Sequence, residues 1–200
     1  MRAFVEEIER LVSRAGEHPA WGYAHCLRVH ALAVELAEAE GLGYDAEALR
    51  LAALLHDIGL YRAYRLHEGA DHVRRSTLVA TRMLRDGDLP PSSIRLVLDA
   101  IEHHPPGAPS GRSTEALLLK DAVALDYLGA VGISRVLAMV GLEEEVPDVP
   151  AAIRHARSLR FQIPTLLQLD ASRALAHDRI LQMDDFFAGL ENATKNLKLL

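Results

Sequence analysis

The sequence predicts an all-α protein. Three observations carry that expectation. Apolar residues recur at the helical period in almost every segment, and no segment shows the alternation of a half-buried strand. Gly, Pro, Asp and Ser fall where helices start and stop. Half of the 200 residues are hydrophobic, enough for a sizeable core, and the length suits one domain. The expected organisation is a single domain over 1–200, with a core of about 18–140 and C-terminal helices of about 150–195 packing on it.

The elements follow in order. Phe4, Ile8, Leu11 and Val12 mark a first helix, ended by a turn at His18-Pro19-Ala20-Trp21-Gly22. A second runs to about Glu40 with Val29, Leu32, Leu36 and Ala37 inward, and Gly41 stops it. Asp45 is the expected N-cap of a third, extending to Gly59. A fourth spans Asp71 to Arg85, and Ser92 or Ser93 opens a fifth that Pro105-Pro106-Gly107 breaks. Ser113 caps a sixth, with Glu115 in its first turn. Gly129 and Gly132 punctuate the chain before a segment reaching Met139. EEEVPDVP reads as a surface loop, and a last long helix covers about Thr165 to Leu190.

Composition excludes several classes. The net charge of −6 argues against general nucleic-acid binding, which needs a basic patch or stripe. One cysteine, Cys26, excludes a disulfide framework and a cysteine-rich zinc site. No apolar run reaches the roughly 18 residues of a membrane span, and the amphipathic, acidic N-terminus is unlike a signal peptide. A cytoplasmic protein without membrane association is expected, with self-association left open.

Polar residues on inward faces are the informative exceptions. His25 precedes Val29, Leu32 and Leu36 on one helical face; alone it reads as a core histidine bonded to a neighbour. In LAALLHDIGL, His56 and Asp57 close an aliphatic helix. The helix dipole favours His56 there but disfavours the Asp57 carboxylate. Asp121 shares a face with Leu117, Leu125 and Leu128. A buried carboxylate needs a positive partner. Arg28 or Arg135 would serve as a salt bridge, and a metal ion would serve as well. Two imidazoles and two carboxylates form a mixed N/O donor set suited to a divalent metal, with positions left for water or substrate.

The order H…HD…D resembles the signature of the HD-domain metal-dependent phosphohydrolases. It appears as His25 in WGYAHCLRVHALA, His56-Asp57 in ALLHDIG and Asp121 in LLLKDAVALDYLGAVGISR. The HxxRV element before the dyad and KD-x4-D-x-LGA-x-G-x2-R after it make the resemblance specific, most of all to small bacterial single-domain members. It covers roughly 18–140. It implies an all-helical HD-domain fold holding one divalent ion (Mn, Fe, Zn, Co, Ni or Mg) through His25, His56, Asp57 and Asp121. It also implies hydrolysis of a phosphate ester, of a nucleotide or another small molecule, by a metal-activated water. Asp57 is expected to orient or deprotonate that water and His104 to serve the leaving oxygen. Arg28 and Arg75 are the expected substrate contacts. His67 and His72 read as surface histidines ahead of a weak second metal site, His103 as helix-terminal, and His18 and His30 as structural or exposed; His72, His103 and His104 are the candidates for any additional histidine ligand. Where relatives often carry DADRLDALGA, Val123 and Ala124 replace an acidic and a basic residue. That departure motivates an alternative, a non-catalytic HD-fold module binding a nucleotide or a partner. A di-iron oxygenase needs more ligands than the pattern places.

Overall fold

The structure, a computed structural model, describes residues 2–64 and 71–200, and every regular element among them is helical. The α-helices are α1 (Arg2–Ala15), α2 (Tyr23–Glu40), α3 (Ala46–Leu55), α4 (His72–Asp86), α5 (Pro91–His103), α6 (Thr114–Leu125), α7 (Gly129–Ala138), α8 (Val149–Gln162) and α9 (Asp170–Ala193). None is long and apolar enough to cross a membrane. The chain divides into two compact units, Met1–Val123 and Ala124–Leu200.

Cap chemistry sets most helix ends. Gly41 ends α2 in the left-handed conformation, φ 64°, where a side chain would be strained. The Asp45 carboxylate accepts from the backbone N–H groups of Glu47 and Ala48 and starts α3. Glu115, read only as a first-turn acid, accepts from the Asp45 N–H at 2.7 Å and ties the start of α6 to that of α3. Ser113 caps α6 through the Ala116 N–H at 3.1 Å. Two starts differ from expectation. α5 begins at Pro91 instead of Ser92 or Ser93, because proline tolerates the first helical position, where its missing N–H costs nothing. α9 begins at Asp170, five residues later than Thr165, since a 3-10 turn containing Pro164 occupies Ile163–Thr165.

In the first unit α3 is the central element. It packs against α1, α2 and α5, and Ala48, Leu49 and all of residues 51–55 are buried. Its end differs most consequentially from the expected one. The helix stops at Leu55, four residues before Gly59. Asp57 leaves helical geometry (φ −107°, ψ 9°), and a 3-10 turn follows at Ile58–Leu60. The carboxylate thus stands just past the last α-turn of α3. α4 packs on α5 and on that 3-10 turn.

In the second unit α7 packs on α8 and α9. Arg135 pairs with buried Asp126 at 3.1 Å, donates to the Asp126 carbonyl and lies over the Tyr127 ring. Both charged groups of this pair are buried. Arg135→Ala would leave the Asp126 carboxylate short of its counter-charge, at a cost of about 3–5 kcal/mol. The expected outcome is a lowered urea midpoint; an unchanged midpoint contradicts this account of the pair.

Candidate metal centre

Three elements of the first unit deliver the site. His25 comes from the first turn of α2, with Val29, Leu32 and Leu36 buried below it, so the inward stripe read from the sequence is borne out. His56 and Asp57 come from the end of α3. His104 follows the last residue of α5. All four are buried, with Asp57 keeping 7 % of its surface.

The distances are short. His25 Nε2 lies 3.1 Å from His56 Nε2. Asp57 Oδ2 is 3.3 Å from His56 Nε2 and 3.6 Å from His25 Nε2. Asp57 Oδ1 faces His104 Nε2 at 3.6 Å. One ligand atom each from His25, His56 and Asp57 lies within 4.8 Å of the others, and the same holds for Asp57, His72 and His104. Asp57 is common to both groups.

Backbone carbonyls fix which ring nitrogen faces inward. His56 Nδ1 donates to the Ala53 carbonyl at 2.9 Å, and His104 Nδ1 donates to Ile101 at 2.7 Å. A carbonyl can only accept, so in each neutral ring Nε2 carries the lone pair. The His56 and His104 Nε2 atoms face opposite oxygens of the Asp57 carboxylate. Lone pairs facing a carboxylate favour a shared positive centre, and an N–H bonded outward to a carbonyl is the usual support of a metal-ligating histidine. The donor set therefore fits a divalent ion.

Burial alone pushes the Asp57 carboxyl upward, but without a metal a protonated His56 and then donation from His104 outweigh it and hold the group well below the usual carboxylate range, a task a bound cation would take over from neutral rings. Burial also lowers the His104 imidazole, which favours its neutral, lone-pair form. Cys26, beside His25, is pushed up to about 12 by burial and stays a thiol. Cys26 belongs to neither donor group.

The other expected site residues are distributed as follows. Asp121 is fully buried on α6. Arg28 is half-buried on α2, one turn after His25. Arg75 donates from Nε to the Gly59 carbonyl at 3.0 Å. His103 donates to the Asp99 carbonyl at 2.8 Å and belongs to neither donor group. His67 lies outside the described residues. His72, read as a surface histidine, is half-buried with its ring centroid 5.7 Å from that of His104. His18 stacks on Trp21 at 3.6 Å, and His30 bonds Arg50 at 3.1 Å; both are structural.

Gly59 was missed as a site-forming residue. Its N–H donates to buried Ser76 Oγ at 3.0 Å while Arg75 holds its carbonyl. A Cβ here would meet Ser76 N at 2.5 Å, Arg75 Cβ at 2.7 Å and the His72 carbonyl at 2.8 Å. Only glycine lets the turn carrying Asp57 lie directly on the first turn of α4. The signal was present as the glycine of HDIG, two residues after the aspartate.

The HD domain family model matches residues 22–128, more than half of the chain and a span holding every residue of both donor groups and Asp121. The chain belongs to the HD domain family, a family of metal-dependent hydrolases. Among solved structures it resembles a Lactobacillus plantarum protein (24% identity, 98% of each chain, TM-score 0.75). It also resembles an HD-superfamily hydrolase of Bacillus thuringiensis (24% identity, 97% of this chain and 98% of that one, TM-score 0.69). Bacillus subtilis YpgQ, crystallised in complex with ADP, is 25% identical over 96% of this chain and 95% of its own, with a TM-score of 0.71. No curated protein sequence matches the chain.

Gly59→Ala must displace backbone, at a cost of about 1–3 kcal/mol from overpacking. The expected outcome is a lower melting temperature, together with loss of the Mn(II)-induced rise in melting temperature expected of the wild type. A variant keeping both contradicts the clamp.

Proposed function

We propose that the chain is a metal-dependent phosphohydrolase that cleaves a phosphate ester of a nucleotide or other small molecule. The observation that carries this reading is the convergence of His25 Nε2, His56 Nε2 and the Asp57 carboxylate within 4.8 Å, with His104 on the other carboxylate oxygen. In this reading Asp121 completes the ligand set: it is a fully buried carboxylate within the matched family span. A divalent ion bound there supplies Lewis acidity, acidifying a coordinated water and polarising a phosphoryl oxygen.

The chain's own groups do the rest. Asp57, held ionised, orients the attacking water by accepting its hydrogen. His104 is neutral in its buried setting, so its role begins as a base. It takes the water's proton at Nε2 and then gives that proton to the leaving oxygen. Arg28 and Arg75 are the proposed phosphate contacts, Arg28 lying on the helix that carries His25. The ADP complex of YpgQ supports a nucleotide as the first substrate class to test. Solved relatives matching 95% or more of both chains support treating 1–200 as one functional HD protein.

A second reading, a non-catalytic HD module that binds a nucleotide or partner, draws on Val123 and Ala124. These are 3% and 1% exposed, so apolar core stands where relatives often place a charged pair. One panel separates the two readings. Divalent-dependent release of phosphate or pyrophosphate from nucleotides is expected in the wild type. It is expected to fall at least 1,000-fold in Asp57→Ala and Asp121→Ala while the helical circular-dichroism spectrum is retained. Wild-type turnover in either variant sinks the hydrolase assignment; tight nucleotide binding without turnover by the wild type supports the second reading.

A further inference from the structure

Cys26 follows His25 directly and is fully buried, yet it is not a ligand. Its sulfur touches the chain on both sides of the His56–Asp57 dyad. The Leu54 carbonyl lies 3.8 Å from Sγ and the Tyr61 hydroxyl 3.4 Å. A carbonyl only accepts, so the S–H is directed at Leu54. The Tyr61 O–H is then the donor to sulfur. The result is a relay from Tyr61 through Cys26 to Leu54, closed around an eight-residue segment with the dyad inside it. The Tyr61 ring is confined as well: a Cβ on Gly16 would sit 3.0 Å from its Cζ.

We propose that Cys26 and Tyr61 are positioning residues of the metal centre, and that their hydrogen-bonded bracket sets the register of His25 against His56 and Asp57. The inference rests on the metal-centre reading above. His25 and the dyad come from different helices, and 3.1 Å between their Nε2 atoms leaves little tolerance. The Gly59 clamp fixes the dyad's turn to α4. The sulfur bracket fixes the same turn to α2, beside the other histidine ligand. A pair that only filled space would act on the stability of the metal-free protein and not on the ligand geometry.

The test uses the full-length chain stripped of metal and titrated with Co(II), read by calorimetry and by the visible d–d bands. Wild type, Tyr61→Phe, Cys26→Ala and Cys26→Ser are compared, with the metal-free melting temperature of each. Tyr61→Phe keeps the ring and carries the test if Cys26→Ala fails to fold. The expected result is at least a tenfold loss of Co(II) affinity in Tyr61→Phe and in Cys26→Ala, in the range typical of supporting shells, with displaced d–d bands. Cys26→Ser, which keeps a donor and an acceptor, recovers part of that loss. A smaller affinity loss or unchanged bands in Tyr61→Phe overturns the bracket, even where the melting temperature falls. Failure of the wild type itself to bind Co(II) overturns the metal-centre reading, and the bracket with it.

Discussion

Two imidazole nitrogens 3.1 Å apart beside an ionised carboxylate are the constraint on which the rest of the first unit depends. Such a cluster repels itself without a shared cation and drifts apart without rigid support. The aliphatic run of α3 answers the second requirement. Its side chains are buried against α1, α2 and α5, so the helix end cannot wander. The helix then stops at Leu55, and Asp57 turns out of it. His56 and His104 spend their Nδ1 atoms on backbone carbonyls, which leaves each Nε2 facing the site.

The sheltering of the site explains why polar residues in the core outnumber those that act. Ser76 is fully buried because it holds Gly59. Glu115 is buried because it joins the starts of α3 and α6. Lys120, beside Asp121, is buried while its ammonium donates to the Ala108 carbonyl, which secures the loop before α6. Each is a fastening between an element that carries a ligand and the segment next to it.

The proposed ligands were legible in the sequence because burial and polarity conflict on a helical face. His25 against Val29 and Leu32, and Asp121 against Leu125 and Leu128, were visible from periodicity alone, and the family resemblance joined them. Helix existence was legible from the helical period for every α-helix but α8, whose start at Val149 falls inside the segment read as a loop. Three things were not. The stop of α3 at Leu55 depends on where Ile58–Leu60 packs, which no local propensity encodes. His72 favoured a surface reading over a second metal site because it stands at a loop-to-helix junction, yet one helical face of α4 turns it toward His104. The contacts of Gly59 and Cys26 reach residues distant in sequence: the HDIG glycine was visible as a motif position, but its packing on Ser76 and Arg75 was not, and a lone cysteine carries no pattern.

The most direct test of the central claim is anomalous diffraction from crystals grown with Mn(II). The account predicts a strong peak within about 2.0–2.4 Å of His25 Nε2, His56 Nε2 and an Asp57 oxygen, with Asp121 as the fourth protein ligand. A peak held by other residues, or none at saturating Mn(II), would contradict it.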